Sequence, residues 1–401
     1  MDHIAVIGAG QAGATLVETL RKQGFDRRIT LWGDEPLPPY QRPPLSKGYL
    51  LGEMARDRLL LRPASFYDDQ RIELHTGSPV LSIDPAARTL THGGGTMAWD
   101  ALALTTGSRP RTLPATVGGT LGGVFTVRTL ADIDAMAPAF REGAHLLVVG
   151  GGYIGLEAAA VARKRGLRVT LIEAADRLLS RVSSPETACW FAEKHRAEGV
   201  TIRENATLER LTGTGRVDGA VLSDGTHLSV DAVVCGIGIL PDVSLAQAAG
   251  LVIDDGIAVD GQGRTSAPGI WAAGDCCSFP WRGGRLRLES VPHAIDQAGV
   301  VARNILGAEE TYEPRPWFWS DQYDVKLQIA GLNTGYDRVV VRDGDGRSHW
   351  YFHGDTLLAV DAMNDARAYM VGKRLIEAEQ SPDPAAVADP QVPVKSLLPA
   401  A

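Results

Sequence analysis

Two glycine-rich segments, each placed between an apolar run and a helix-like run, constrain this chain more than any other feature. They read IAVIGAGQAG (residues 4–13) and LLVVGGGYIG (residues 146–155). In such a strand–turn–helix unit, the first glycine makes a tight turn, the second lets the backbone approach a pyrophosphate, and the third lets the helix pack on the strand. The glycines concerned are Gly8, Gly10 and Gly13 in the first segment and Gly150, Gly152 and Gly155 in the second.

An acidic residue near the end of the next predicted strand completes each unit. Asp34 follows RITLWG in the first unit and Glu173 follows RVTLI in the second, at about the twenty-residue spacing of a βαβ unit. In these units the pyrophosphate binds at the helix N-terminus, and the acid accepts hydrogen bonds from a ribose. A single glycine-rich turn can serve helix packing alone. Two complete units favour two adenine dinucleotides, and therefore two redox cofactors acting in series.

Composition excludes several other classes of protein. Apolar residues make up 44% and charged residues 22% of the 401 residues, as in globular proteins. No apolar run approaches the length of a membrane span, and the first predicted strand begins at His3, which leaves no room for a signal peptide. The four cysteines are too few and too poorly spaced for a disulfide framework or a zinc site. The formal charge of −8 disfavours nucleic acid as a partner. Together, these features predict a cytoplasmic protein without a metal, membrane or nucleic-acid partner.

The order of the predicted elements indicates an α/β fold with two Rossmann-like domains, the second inserted in the first, and a C-terminal α+β domain. We assign residues 1–114 and 237–310 to the first dinucleotide-binding domain and residues 115–236 to the second. Residues 311–401 form the C-terminal domain, with predicted strands such as VKLQIAG and TLLAVDAM. The tail from Ser381 is rich in Pro and Ala, and we expect it to be loosely ordered.

The string PGIWAAGDCC adds a second acidic position to the first domain. An apolar strand leads into Gly274 and Asp275. An aspartate just after a strand, beside a glycine that permits close approach, can bind the ribityl hydroxyls of a flavin. The alternative is an ordinary helix cap at a strand end, which the first glycine-rich unit makes the weaker interpretation.

Four further strings narrow the family. They are PPLSKGYL (43–50), GGGYIGLEAA (150–159), ESVPHAIDQA (289–298) and PWFWSDQY (316–323). The last string alone could be an ordinary edge strand. Together and in this order, they make nearly the whole chain resemble the NADH-dependent ferredoxin reductases of bacterial oxygenase systems, a branch of the two-dinucleotide flavoprotein (pyridine nucleotide-disulfide oxidoreductase) superfamily.

The resemblance implies that the first domain binds FAD and the second binds NADH. It also implies that Lys47 lies near the hydride-accepting edge of the flavin and pairs with Glu157, and that Trp319 packs at the flavin or nicotinamide edge. Without the resemblance, Lys47 would be interpreted as a solvated loop lysine. The FAD contacts implied by the family pattern are Ala12, Asp34, Lys47, Val80, Arg128, Asp275 and Val291.

Two observations refine the expected chemistry. The disulfide reductases of the superfamily carry a redox pair of cysteines, whereas this chain has no Cys-x2-Cys or Cys-x4-Cys. Its adjacent Cys276 and Cys277 are better interpreted as buried small side chains. A carboxylate at Glu173 repels the extra phosphate of NADPH, so we expect NADH to be preferred, although Arg177 and Arg181 could weaken that preference.

The resemblance, together with these observations, implies an FAD enzyme that takes a hydride from NADH and passes single electrons to a [2Fe–2S] ferredoxin. The ferredoxin would serve a haem monooxygenase or a Rieske dioxygenase. No general acid, nucleophile or metal is required, and a monomer or weak dimer is expected. The alternatives are an NADH-dependent rubredoxin reductase, an NADH oxidase, and a protein similar to apoptosis-inducing factor, which the acidic composition disfavours.

Overall fold

The structure is a computed structural model that describes residues 1–344 and 346–399. The chain divides into two compact units. Unit 1 comprises residues 1–41, 56–109 and 239–316, and unit 2 comprises residues 42–55, 110–238 and those from 317 onwards. The α-helices are α1 (Gln11–Lys22), α2 (Ala64–Asp69), α3 (Leu130–Met136), α4 (Tyr153–Lys164), α5 (Pro185–Ala197), α6 (Ser244–Ala248), α7 (Val291–Ile305), α8 (Ala366–Glu377) and α9 (Pro384–Ala388).

The strands alternate with these helices in the first two-thirds of the chain and dominate the last third. They are β1 (His3–Ile7), β2 (Arg28–Trp32), β3 (Ile72–His75), β4 (Val80–Asp84), β5 (Thr89–His92), β6 (Gly95–Ala98), β7 (Ala101–Leu104), β8 (Ser108–Pro110), β9 (Val124–Phe125), β10 (His145–Val149), β11 (Arg168–Ile172), β12 (Val200–Arg203), β13 (Leu208–Thr212), β14 (Gly219–Leu222), β15 (His227–Ser229), β16 (Ala232–Cys235), β17 (Ile239–Pro241), β18 (Ile257–Ala258), β19 (Ile270–Ala272), β20 (Cys277–Trp281), β21 (Gly284–Leu286), β22 (Trp317–Gln322), β23 (Val325–Gly331), β24 (Arg338–Asp343), β25 (Arg347–His353) and β26 (Thr356–Met363).

Unit 1 is built on a five-stranded parallel sheet in the order β19-β7-β1-β2-β3. Every residue of β1 is buried, as expected for a parallel strand covered on both faces. Helices α1 and α7 pack together on one face, where Ala12, Ala294 and Ala298 belong to one core cluster. Small side chains at this contact let the two helices approach closely.

Unit 2 contains a second five-stranded parallel sheet, in the order β12-β11-β10-β16-β9. The last strand of the first sheet, β19, follows all the strands of this second sheet in the chain, so the second Rossmann-like fold is inserted in the first. A separate three-stranded antiparallel meander precedes β7 in unit 1, formed by β4-β5-β6, and another precedes β16 in unit 2, formed by β13-β14-β15. The predicted α/β fold is confirmed.

The C-terminal part of unit 2 is an antiparallel sheet in the order β22-β23-β26-β25-β24, with α8 packed against β23 and β26. The prediction of a loosely ordered tail from Ser381 is wrong. The tail forms α9 and a 3₁₀ turn at Val394–Leu397. Arg342, only 4% exposed, holds it by donating to the carbonyls of Val387, Asp389 and Val392 at 2.9, 2.7 and 2.6 Å. A buried charge needs such partners, and Pro-rich composition gives no sign of them.

The two Rossmann-like folds also match at the first residue of the strand that leads into each glycine-rich turn, which is a histidine in both. His3 places Nδ1 2.7 Å from the Ala98 carbonyl and Nε2 3.0 Å from the Thr30 hydroxyl. His145, the first residue of β10, makes the equivalent two contacts: its Nδ1 lies 2.6 Å from the Ser229 carbonyl and its Nε2 lies 2.9 Å from the Thr170 hydroxyl. Burial lowers the pKa of both histidines, His3 and His145. None of the helices in the described part of the chain combines the length and the apolar character needed to cross a membrane.

Candidate active site

The first glycine-rich turn packs as a dinucleotide site requires. Gly8 has φ 113°, and a Cβ there would lie 2.2 Å from the Thr105 carbonyl oxygen. A Cβ on Gly13 would lie 2.0 Å from the Gly8 carbonyl oxygen, so only glycine lets α1 start this close to β1. Gly10 differs from both, because a Cβ on it would meet none of the described atoms within 4 Å. The space in front of Gly10 is open.

The second turn repeats this arrangement in unit 2. Gly150 has φ 103°, and a Cβ there would lie 2.5 Å from the Gly236 carbonyl oxygen. A Cβ on Gly155 would lie 2.1 Å from the Gly150 carbonyl oxygen, whereas one on Gly152 would meet no described atom within 4 Å. The crowded first and third glycines fix the turn, and the second leaves its outer side open.

The helices that follow these turns are suited to bind an anion. Gly10 and Gly152 are the N-cap residues of α1 and α4, and within the described chain no side chain caps either helix. The first N–H groups of a helix have no partner inside it, and the helix dipole favours negative charge there. Open space beside uncapped N–H groups fits the pyrophosphate of a dinucleotide. The assignment of FAD to the first turn and NADH to the second stays a prediction.

Glu173 lies against the second turn. One carboxylate oxygen accepts the N–H of Gly151 at 2.7 Å, and the other accepts the N–H of Ala175 at 2.8 Å. The residue directly follows β11, whose last residue, Ile172, pairs with Val149 of β10. The two backbone bonds hold the carboxylate at the strand end, and each oxygen keeps a further lone pair for a ribose hydroxyl.

Asp34 does not occupy the equivalent place in unit 1. The last residue of β2, Trp32, pairs with Ile7, so Gly33 stands where the second unit has its glutamate. Asp34 lies one residue further and is exposed, while its neighbour Glu35 accepts the Tyr40 hydroxyl at 2.5 Å. The assignment of Asp34 to a ribose therefore stays a prediction.

The turn after β19 lies beside the first glycine-rich turn. A Cβ on Gly274 would lie 3.1 Å from that of Ala12, so this glycine permits the close approach. The Gly274 N–H donates to Oε1 of the fully buried Gln297 at 2.8 Å, and the Ser108 hydroxyl donates to a carboxylate oxygen of Asp275 at 3.0 Å. Asp275 is thus held next to the start of α1, and its contact with a flavin stays a prediction.

The remaining predicted FAD contacts lie in several elements. Val291 is the first residue of α7, and Val80 is the half-buried first residue of β4. Arg128 lies in unit 2, where its N–H donates to Asp132 at 3.1 Å and its carbonyl accepts from Arg42 at 2.7 Å. Their contacts with a flavin stay predictions.

The ion pair between Lys47 and Glu157 is present in unit 2. Lys47 lies in a π-helical turn, Leu45–Tyr49, with a non-helical φ of −131° and ψ of −114°. Its Nζ is 2.8 Å from Oε1 of Glu157, which is only 3% exposed. Two hydroxyls also donate to this carboxylate, Ser46 to Oε2 at 2.8 Å and Ser320 to Oε1 at 2.7 Å. Three donors compensate for the loss of water around the buried charge.

Strand β22 supplies one of these donors from the PWFWSDQY string, and it is an edge strand of its sheet. Alternate side chains of a strand point to opposite faces. Phe318 and Ser320 contact α4, the ring of Phe318 lying 5.0 Å from that of Tyr153. Trp319 points the other way, with its ring 5.5 Å from Trp317. Its predicted contact with a flavin or nicotinamide stays a prediction.

Sequence reasoning missed the residues that surround Glu157. The carboxylate accepts directly from Ser46 and Ser320. Behind Ser320, the hydrogen bonds continue to Gln322 and then to His195. Little in the sequence indicates them, because β22 ends in the continuous polar run SDQ, in which nothing marks the two buried side chains, Ser320 and Gln322. His195 had no signal, because a histidine on α5 is separated from Glu157 in sequence by a whole βα unit.

The comparisons with known proteins agree with this geometry. The model of the pyridine nucleotide-disulphide oxidoreductase family matches residues 2–298, and that of the reductase C-terminal domain matches residues 317–398. The chain belongs to the pyridine nucleotide-disulphide oxidoreductase family. Like other members, it is an oxidoreductase that uses FAD and a nicotinamide dinucleotide.

Similarity to individual members extends over nearly the whole chain. A ferredoxin–NAD(P)(+) reductase of a Sphingomonas species is 43% identical over 98% of this chain and 97% of its own length. Putidaredoxin reductase of Pseudomonas putida is 37% identical over 100% of this chain and 97% of its own length. The crystal structure of the covalent putidaredoxin reductase–putidaredoxin complex matches with a TM-score of 0.95 and 36% identity, covering 99% of this chain and 98% of that chain. The resemblance identified from the sequence strings is confirmed.

Proposed function

We propose that this protein is an FAD-dependent NADH:ferredoxin reductase that supplies electrons to an oxygenase. The observation that carries the proposal is similarity along nearly the full length of both chains to a relative named a ferredoxin–NAD(P)(+) reductase. The duplicated dinucleotide site supports it independently, because a reductase of this kind needs both a hydride donor and a cofactor that accepts the hydride.

The chain's own residues are assigned to binding and orientation. The turn of Gly8, Gly10 and Gly13 would hold the pyrophosphate of FAD, with Asp275 on its ribityl chain, and the second turn and Glu173 would hold NADH. FAD supplies the conversion between hydride transfer and single-electron transfer, which a nicotinamide cannot perform. The Lys47 ammonium would favour negative charge on the reduced cofactor.

The cysteines argue for direct delivery of electrons to an external acceptor. Cys235, Cys276 and Cys277 are buried, and Cys189 is exposed. Burial raises the pKa of Cys276 and Cys277, so these thiols stay protonated and are poor redox relays. In the described residues no group of three or more His, Cys, Asp or Glu side chains could hold a metal ion.

We further propose that the acceptor is of the [2Fe–2S] type and that the enzyme is a monomer or weak dimer. The relative from Sphingomonas is named for a ferredoxin, and its name does not specify the cluster. Light scattering on the purified protein checks the oligomeric state, and a tetramer would contradict it.

The test is NADH-driven reduction of cytochrome c with and without a [2Fe–2S] ferredoxin encoded by the same organism. The proposal predicts a high rate only when the ferredoxin is present. A rubredoxin from that organism is the matched control, because it tests the alternative acceptor in the same assay. Rapid NADH consumption in air, without stimulation by either carrier, would indicate an NADH oxidase and contradict the proposal.

A further inference from the structure

A chain of buried hydrogen bonds leads away from Glu157, and the chemistry of its members fixes its direction. A carboxylate can only accept, so the Ser320 hydroxyl donates its proton to Glu157 at 2.7 Å. The Ser320 oxygen must then accept its contact with Gln322, 3.1 Å away. Gln322 is therefore oriented with its amide nitrogen towards Ser320.

The same logic extends to the histidine. With its nitrogen committed, Gln322 turns its amide oxygen to Nε2 of His195 at 2.8 Å. Nε2 must therefore carry a proton. The other ring nitrogen, Nδ1, is 3.1 Å from the Tyr323 hydroxyl and accepts from it when the imidazole is neutral. Every donor in the chain from Tyr323 to Ser320 points towards the Glu157 carboxylate.

The surroundings of His195 favour this neutral form. The side chain is completely buried, and burial lowers its pKa to about 4. The charged groups that face it are Glu198 and Lys194, which pair with each other at 2.9 Å. Lys194 also binds Asp324 at 2.7 Å and lies 5.6 Å from the centre of the Tyr323 ring. This partly exposed cluster lies at the outer end of the hydrogen-bond chain.

We propose that Gln322 and His195 are positioning residues for Glu157 and, through it, for the Lys47 ammonium. The hydrogen-bond chain joins α5, β22 and α4, so it fixes the orientation of the Glu157 carboxylate relative to these three elements. Its aligned dipoles also direct their positive ends at the buried charge. The inference rests on the proposed function, because the position of Lys47 affects turnover only if NADH reduces a bound flavin.

The first experiment reads the tautomer of His195 without any substrate. In the holoprotein labelled with ¹⁵N-histidine, the NMR spectrum at neutral pH is expected to show a proton on Nε2 and none on Nδ1. The resonance is assigned by its loss in His195→Gln, and His227→Leu, which removes an exposed histidine of the same unit, is the control. A proton on Nδ1, or exchange between the two tautomers, would overturn the assigned direction of these hydrogen bonds and, with it, the proposal.

The second experiment tests positioning with four variants, each checked for folding and bound flavin. Gln322→Met and His195→Leu break the chain, and His195→Gln keeps a donor that can reach Gln322. Gln322→Glu introduces a second carboxylate, which competes with Glu157 for the Ser320 proton. The new charge should also convert His195 to an imidazolium, a change that the NMR experiment detects. We expect the rate of flavin reduction at saturating NADH to fall about tenfold in Gln322→Met, His195→Leu and Gln322→Glu, and to stay within about twofold of the parent in His195→Gln.

Two further readouts separate positioning from general damage. The flavin midpoint potential should shift in Gln322→Met and in His195→Leu and stay near the parent value in His195→Gln. The dissociation constant for NADH should stay unchanged in all three. A folded, flavin-containing Gln322→Met with the parent rate and potential would overturn the positioning role. If NADH failed to reduce the flavin of the parent protein, the proposed function would be overturned instead. The tautomer experiment would still show whether the hydrogen bonds run from Tyr323 to Glu157 as described.

Discussion

Among single residues, we expect the carboxylate of Glu173 to select the nucleotide that binds at the second turn. It is fixed by two backbone N–H groups, from Gly151 and Ala175, and it repels a phosphate on the adjacent ribose. We expect Glu173→Ala to lower the ratio of kcat/KM for NADH to that for NADPH about tenfold, or about 1.4 kcal/mol. Asp176→Ala, which removes an exposed charge of the same sign nearby, is the control. An unchanged ratio in Glu173→Ala would show that other residues choose the nucleotide.

The Lys47–Glu157 pair allows stability and catalysis to be separated. Lys47→Met leaves a carboxylate that is 3% exposed without its cation, and we expect the free energy of unfolding to fall by about 3 kcal/mol. The double variant Lys47→Met/Glu157→Gln removes both charges, so stability should largely recover. Flavin reduction by NADH should remain slow in both variants. Urea denaturation and stopped-flow absorbance measure the two effects, and a parent-like rate in the double variant would exclude Lys47 from the reaction.

At the scale of elements, the second glycine of each turn is the one whose substitution should affect binding alone. Gly152 has φ −80°, which any residue adopts, and a Cβ on it meets no described atom within 4 Å. Gly152→Ala should therefore keep the parent Tm and FAD content while the Kd for NADH rises about tenfold or more, by at least about 1.4 kcal/mol. Gly10→Ala should have the reciprocal effect, with weaker FAD retention. Loss of FAD from Gly152→Ala would contradict the assignment of the two turns.

The C-terminal tail depends on one buried guanidinium. Arg342 donates to four tail carbonyls, those of Val387, Asp389, Pro390 and Val392. Each would be left without its charged partner in Arg342→Met. We expect the free energy of unfolding to fall by about 3 kcal/mol and the tail to be cleaved faster by proteases. In Arg338→Met, an exposed arginine of the same strand, the change should stay below about 0.5 kcal/mol. Equal effects in both variants would contradict the anchoring role.

The elements differ in how far the sequence could predict them. The strands VKLQIAG and TLLAVDAM match β23 and β26 residue for residue, because local alternation and turn residues determine them. The tail was predicted wrongly, since its order depends on Arg342, which is about fifty residues away in the chain. The glycine turns and Glu173 were predictable from a motif with a known mechanism. Ser320, Gln322 and His195 were not, because only the tertiary structure brings them to Glu157.

At the scale of the whole molecule, buried histidines determine the response to acid. Burial lowers the pKa of His195, His293 and His349 to about 4, against an ordinary value near 6.5. Below about pH 6.5 the unfolded chain binds protons that the folded chain does not, so each histidine lowers the free energy of unfolding by about 1.4 kcal/mol per pH unit. Their stabilising contribution is present above pH 6.5 and is lost as the pH falls towards 4.

Asp361 acts in the opposite direction. Burial raises its pKa to about 6, so the folded chain binds a proton before the unfolded chain does as the pH falls, which offsets one of the three histidines. Urea denaturation at several values between about pH 7 and pH 5 should therefore give a net loss of about 3 kcal/mol per pH unit or more at the steepest part, since burial also lowers the pKa of His3, His75 and His145. A free energy of unfolding that stays constant over this range would contradict the assigned burial of the histidines.

The duplication of the Rossmann-like fold is also a property of the whole molecule. The sequence showed the duplicated turns, but the matched meanders and the matched contacts of His3 and His145 emerged only in the structure. A pairing between a ring nitrogen and a threonine on the next strand leaves no periodic signal in the chain. The two halves thus share a scaffold and differ at the residue after the second strand, where one has Gly33 and the other has Glu173.

An anaerobic titration of the purified protein with NADH, followed by flavin absorbance, tests directly whether the chain carries two cofactors in series. An enzyme with one FAD site and one NADH site per chain should contain one FAD, and one equivalent of NADH should bleach it completely. NADPH should act much more slowly, because Glu173 lies beside the second turn. A protein without bound flavin, or a flavin that NADH leaves oxidised, would contradict the claim that the two glycine-rich turns serve two cofactors in series.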